Sequence, residues 1–134
     1  MELNARIINF GKVKGIAIVS KQPISFFGCV DIETGRIIEK NHELYGKSIK
    51  NKILVFPYGK GSTVGSYALY RLKKNKVAPK GIINKECEPI VAIGAIISDI
   101  ACVDKVDIRK IETGDYVIIN GGKVIIEKKK CKKF

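Results

Sequence analysis

Apolar residues along this chain recur with two different periods, and the change from one to the other marks out the elements. Ala5 to Phe10 and Val13 to Ser20 read as two short strands, with Ile16, Ile18 and nearby residues in period-two apolar alternation, and the Gly11-Lys12 break between them predicts a hairpin. Ile53-Leu54-Val55 is a short continuous apolar run and reads as a buried strand. From Thr63 the pattern shifts to steps of three and four, with Val64, Tyr67, Ala68, Arg71 and Leu72 on one stripe. That predicts an amphipathic helix, with Lys73, Lys74 and Lys76 at the end where the dipole favours cations. Ala78-Pro79-Lys80-Gly81 ends it. Gly81-Ile82-Ile83 and Ile90 to Ile97 are short buried segments whose type stays open between helix and strand. The second is too apolar to face water on either side. Asp115 to Asn120 and Lys123 to Glu127, joined by Gly121-Gly122 and entered through Thr113-Gly114-Asp115, predict the clearest hairpin in the chain. Many short strands and few helices argue for an α+β domain, or a small β-barrel flanked by helices.

Two segments fit neither period. Pro23-Ile24-Ser25-Phe26-Phe27-Gly28-Cys29-Val30-Asp31 with Thr34-Gly35 is apolar and aromatic but broken by glycines, as in a functional loop or in a loop whose phenylalanines plug the core. Lys40-Asn41-His42-Glu43-Leu44-Tyr45-Gly46 carries the one histidine in a turn leading to the Ile53 strand. His42 has no partner at metal-ligand spacing, which favours a structural or surface role over that of a base or phosphoryl carrier.

Composition narrows the class. A length of 134 residues with 46% apolar and 28% charged residues predicts one domain, read as residues 1–127, followed by a basic tail at 128–134. Met1-Glu2-Leu3-Asn4 has no signal-peptide pattern, and no apolar run approaches the roughly 20 residues a bilayer span needs, so a soluble, cytoplasmic protein is expected. Cys29, Cys87, Cys102 and Cys131 contain no C-x-x-C pair, which disfavours a zinc or iron–sulfur site built wholly from this chain, and a cytosolic setting disfavours disulfides. The formal net charge of +12 raises the possibility of a nucleic-acid-binding module. Its distribution argues against one: Glu127 to Phe134 alone supplies five lysines against one glutamate, and no aromatic-basic signature accompanies the rest.

The chemistry concentrates in Phe56-Pro57-Tyr58-Gly59-Lys60-Gly61-Ser62-Thr63, which reads as strand, glycine turn and helix start. Ser62 falls at the N-cap, where unpaired N–H groups and the helix dipole favour an anion or an ionised hydroxyl. It is a helix cap or an acid/base group, and the local sequence alone favours the cap. A nucleotide P-loop is excluded, because Gly59-Lys60 is followed by Gly61 and Leu54 stands where its first glycine would be.

These residues carry a resemblance. The Pro23–Asp31 segment, His42-Glu43-Leu44-Tyr45-Gly46, and above all Gly59-Lys60-Gly61-Ser62-Thr63 look like those of the small, swivel-domain subunits of aconitase X type enzymes, the archaeal phosphomevalonate dehydratases. Ala78-Pro79 and Ala92-Ile93-Gly94-Ala95-Ile96 extend the likeness to nearly the whole chain. The resemblance implies a swivelling β/β/α fold and a hydro-lyase active only with a large subunit. That subunit would hold a [4Fe-4S] cluster, with none in this chain. It also implies Ser62 as the base that takes the proton alpha to a carboxylate, with Gly59, Lys60, Gly61, Thr63 and Ser25 at the substrate. The substrate implied is 5-phosphomevalonate; a related dehydratase for another hydroxy acid, such as a hydroxyproline, is the nearer alternative, and a nucleic-acid module the third. Cys29 departs from the family, which commonly has a second glycine after Gly28.

Overall fold

The computed structural model of the chain describes residues 1–60 and 64–128. In chain order its elements are β1 (Glu2–Asn4), β2 (Arg6–Asn9), β3 (Lys12–Val19), α1 (Phe26–Cys29), β4 (Ile53–Phe56), α2 (Val64–Lys74), β5 (Gly81–Asn84), α3 (Pro89–Ser98), β6 (Ala101–Asp104), a 3₁₀ turn at Ile108–Lys110, β7 (Tyr116–Asn120) and β8 (Lys123–Glu127). The strands form one sheet in the order β1-β8-β7-β3-β4-β5-β6-β2. Both ends of that order come from the single segment 2–9, which turns at Ala5, so the sheet curls round until its two edges meet there.

The alternation of side chains along the strands sorts the interior into two cores. Ile53, Val55, Ile83 and Val103 face inward with Val117, Ile119, Val124 and Ile126. Their neighbours Leu54, Phe56, Ile82 and Cys102 face outward onto Leu69, Leu72, Val91 and Ala95 of the helices. The continuous apolar run of β4 is thus explained: it is buried on both faces, as strands of a parallel sheet covered by helices are. The result is a β/β/α arrangement, with α2 and α3 as crossovers between the parallel strands β4, β5 and β6.

The expected Gly11-Lys12 hairpin is not formed. β2 pairs antiparallel with β6, whereas β3 pairs antiparallel with β7 through residues 12–16 and parallel with β4 through 17–19. Gly11 lies against Ala101 so closely that a Cβ there would stand 2.6 Å from the alanine Cβ, so the chain crosses the start of β6 instead of turning back. The β7–β8 hairpin is formed in the expected register, with Gly121 at a φ of 57°. The undecided segment 90–97 is helix α3, opened by Glu88, which accepts from Val91 N–H at 2.7 Å and Ile90 N–H at 3.2 Å, and by Pro89. Contrary to expectation, α3 faces solvent through Ile93, Ile96 and Ile97, because α2 and the sheet cover only its other side. Glycines let the two helices close: a Cβ on Gly94 would lie 3.0 Å from Leu69 Cδ2. Lys128, the first residue assigned to the tail, is tied back by Asp115 at 3.0 Å and by the carbonyl of Lys110 at 2.7 Å.

Asp104 fastens the β2–β6 edge. Its buried carboxylate accepts two hydrogen bonds from Arg6, at 2.8 and 2.7 Å, and one from Cys87 N–H at 2.8 Å. Burial pushes Asp104 toward the neutral acid, but Arg6 and the Cys87 N–H outweigh it and hold the carboxyl below the usual range. A carboxyl depressed in the fold contributes stability above its unfolded value of about 3.9, and that contribution is lost as pH falls through the folded value. The urea midpoint of the wild type is therefore expected to exceed that of Asp104→Asn at neutral pH, with the gap shrinking below about pH 4. A gap that is constant with pH would show that the carboxylate's charge is not what fastens this edge.

Candidate active site

The turn after β4 lies at the carboxyl end of the parallel strands, where both crossover helices begin. The start of α3 is occupied by the Glu88 carboxylate. Glu88 also packs on Gly59: a Cβ there would lie 2.8 Å from Glu88 Oε1 and collide with Val91 Cγ2. Glycine is required at 59 by this close approach, since its φ is not in the left-handed region. Lys60 follows on the exposed side, and Val64 opens α2, whose first turn has no acidic residue to compete for an anion. Ser66 binds the two helices by donating to the Ile90 carbonyl at 2.6 Å.

The irregular Pro23–Asp31 segment runs beside this turn. Ile24 bridges Gly59 in parallel, with Ile24 N–H donating to Tyr58 O at 3.4 Å and Lys60 N–H to Ile24 O at 3.1 Å. Phe26 plugs the core edge-to-face on Phe56, centroids 5.9 Å apart, while Phe27 stands 57% exposed, so the two phenylalanines divide the structural and surface roles between them. Ser25 is thereby set next to Gly59 and Lys60, with its hydroxyl donating to Phe27 O at 2.8 Å. Gly28 carries a φ of 91°, whereas Cys29 is outside the left-handed region. The side chain at 29 therefore fits a backbone that does not need glycine.

Glu43 holds the base of this segment. It accepts from Ser20 Oγ at 2.9 Å and from Lys21 N–H and Gln22 N–H, while its own N–H donates to Gln22 Oε1 at 2.6 Å. Partial burial raises the Glu43 pKa, but these donors outweigh it and the carboxyl stays below its ordinary range. His42 is buried, with Leu44 N–H donating to Nδ1 at 3.1 Å and Nε2 at 3.2 Å from the Pro23 carbonyl. Nδ1 is thus the acceptor and Nε2–H the donor. The structural role is the one observed, inside the fold and not at its surface.

Cys29, Glu39 and His42 bring one ligating atom each to within 4.8 Å of one another, but they do not fit a metal ion or cluster. Burial, then the charge of Glu39, pushes the Cys29 thiol up to about 11, with Sγ 3.8 Å from Glu39 Oε2. Both nitrogens of His42 are engaged by backbone.

Residues 2–128 match the family described as the aconitase X swivel domain. The chain belongs to that family. It is 57% identical over 127 residues to the phosphomevalonate dehydratase small subunit of Methanocaldococcus jannaschii, covering 95% of this chain and 97% of that protein. It is 52% identical over 130 residues to the subunit of the same name from Methanosarcina mazei, covering 95% and 90%. The crystal structure of Thermococcus kodakaraensis aconitase X in its holo form superposes with a TM-score of 0.94 at 53% identity, over 96% of this chain and 99% of that one. The swivel-domain fold expected from the sequence is therefore the fold observed.

Within this swivel domain the Ile24–Gly59 bridge sets Ser25 beside Gly59 and Lys60, while Gly61, Ser62 and Thr63 lie outside the described residues. Two supporting residues went unread in the sequence. Glu88 stands directly before Pro89, a helix-opening pair that could have been recognised. Glu43 stands in the segment 42–46 that carries the resemblance, but its role does not show there, because its partners are more than twenty residues away.

Proposed function

We propose that this chain is the small subunit of a phosphomevalonate dehydratase, in which Ser62 takes the proton alpha to the substrate carboxylate. The observation that carries the reading is the similarity, over nearly the full length, to subunits of that name, at 57% and 52% identity. An exposed Lys60 and an α2 that opens without an acidic residue suit an anionic substrate beside it. The reaction removes a proton from the carbon next to the carboxylate and hydroxyl from the following carbon, giving a double bond and water. An iron–sulfur cluster held by the large subunit would supply Lewis acidity toward the departing hydroxyl.

A serine hydroxyl is a weak base at neutral pH, so its ionised form needs stabilisation by N–H groups and a cation. Lys60, two residues away in sequence, is the cation this chain offers, and Gly59 and Gly61 leave the backbone free to approach the substrate. Ser25 joins them as an acceptor, since its proton is engaged by Phe27 O. The large subunit would complete the site by covering apolar surface that a lone domain leaves open, including Phe27 and Tyr58 on the paired segments. The test is anaerobic co-expression with the large subunit and assay of 5-phosphomevalonate dehydration with this chain present and absent. Turnover that requires both chains is the expected result. A stable complex that leaves phosphomevalonate untouched and dehydrates another hydroxy acid would overturn the substrate, and full turnover by the large subunit alone would overturn the role of this chain.

A further inference from the structure

Away from the Gly59 turn, two thiols face each other across the start of α3. Cys87 lies in the short loop that joins β5 to α3, half-buried and outside any regular element, and Cys102 lies fully buried in the middle of β6. Their sulfurs are 4.0 Å apart, and both thiols are free. We propose that Cys87 and Cys102 are a reversible modification site, a dithiol that a peroxide-class oxidant closes to an intrachain disulfide.

The geometry assigns the two sulfurs different parts. Cys87 is half-buried in a loop that solvent reaches, whereas Cys102 is fully buried within the sheet, so an oxidant meets Cys87 first. The contact between the two sulfurs lowers the Cys87 thiol and, with burial, raises that of Cys102, in the same sense. Cys87 is therefore the attacking thiolate and Cys102 the resolving thiol. The Cys87 thiolate attacks one peroxide oxygen, the O–O bond breaks, and the departing hydroxide takes up the proton Cys87 released, leaving a sulfenic acid and one water. The Cys102 sulfur then displaces the sulfenyl oxygen, which leaves with the Cys102 proton as the second water while the S–S bond forms. Two thiols lose two electrons in all, and the peroxide gains them.

Closure requires the sulfurs to approach from thiol contact to bonding distance, and the loop at 85–88, outside the strands but held by Glu86 N–H on Pro57 O at 3.0 Å and Cys87 N–H on Asp104 at 2.8 Å, must shift against those bonds. Movement of that loop carries Glu88, which caps α3 and packs on Gly59.

The test uses the full chain purified anaerobically, exposed to hydrogen peroxide, denatured, alkylated and cleaved with trypsin. One peptide, Glu86 to Lys105, contains both cysteines and no other, so the disulfide reads as that peptide lighter by two hydrogens and unalkylated, and restored by dithiothreitol. In Cys102→Ser, Cys87 should be trapped as the sulfenic acid by a cyclic 1,3-diketone. The proposal is overturned if Cys87 passes to the sulfinic acid while Cys102 remains alkylatable, if Cys87 links instead to Cys131, if both thiols survive oxidation that consumes Cys29, or if Cys102→Ser yields no trapped sulfenic acid.

Discussion

Ser62→Ala is expected to lower turnover of the two-subunit enzyme by roughly 10²- to 10⁴-fold, the range that positioned general bases contribute, while the subunits still assemble. The competing role for this residue is a helix cap, and the two roles separate experimentally. Loss of a serine cap costs about 1 kcal/mol of stability and nothing in the chemistry. Asparagine caps as well as serine does, but its amide is no base. Ser62→Asn should therefore match the wild type in thermal midpoint and match Ser62→Ala in lost turnover. Turnover restored by asparagine would show that Ser62 serves only as a cap.

Gly59→Ala is expected to reduce activity by about 100-fold, the loss associated with a misplacement near 1 Å, and to cost roughly 1–3 kcal/mol of stability through overpacking. The new methyl group would meet Val91 Cγ2 and Glu88 Oε1, and neither yields freely. Val91 is a stiff β-branched residue in the core, and Glu88 is committed to two N–H groups at the start of α3. The turn must then shift off Val91 and Glu88, which disturbs the bond from Lys60 N–H to the Ile24 carbonyl and displaces Lys60. Val91→Ala in the same chain removes one of the two obstacles and should recover part of the lost turnover, measured in the assembled enzyme. No recovery in the double variant would show that the glycine acts by some means other than this contact.

Much of the fold was legible because its signals are local. The β7–β8 hairpin is written in alternation around two glycines, and α2 in steps of three and four, although the face it buries is Gly65, Ala68, Leu69 and Leu72, with Val64, Tyr67 and Arg71 of the expected stripe exposed. The partners of β2 and β3 were not legible: Arg6 pairs with Asp104, and Lys12 with Asn120, and only the closed sheet brings such distant residues together. For α3, an apolar run of this length suits a buried strand or a helix equally, and the Glu88-Pro89 opening is what decides it. The site divides in the same way. The Gly59-Lys60 turn announces itself through composition, while Glu43 acts through backbone donors at residues 21 and 22 that no spacing rule connects to it.

The meeting of both sheet edges at Ala5 bears on how this domain can be recognised. Proteins that join by strand addition need a run of unpaired backbone donors and acceptors along an exposed edge. Here the ends of the sheet are a three-residue and a four-residue strand, already hydrogen-bonded to β8 and β6. A partner finds little backbone to read, so it must read side chains on loops and helix faces, and the choice between one dehydratase partner and another is a matter of surface sequence.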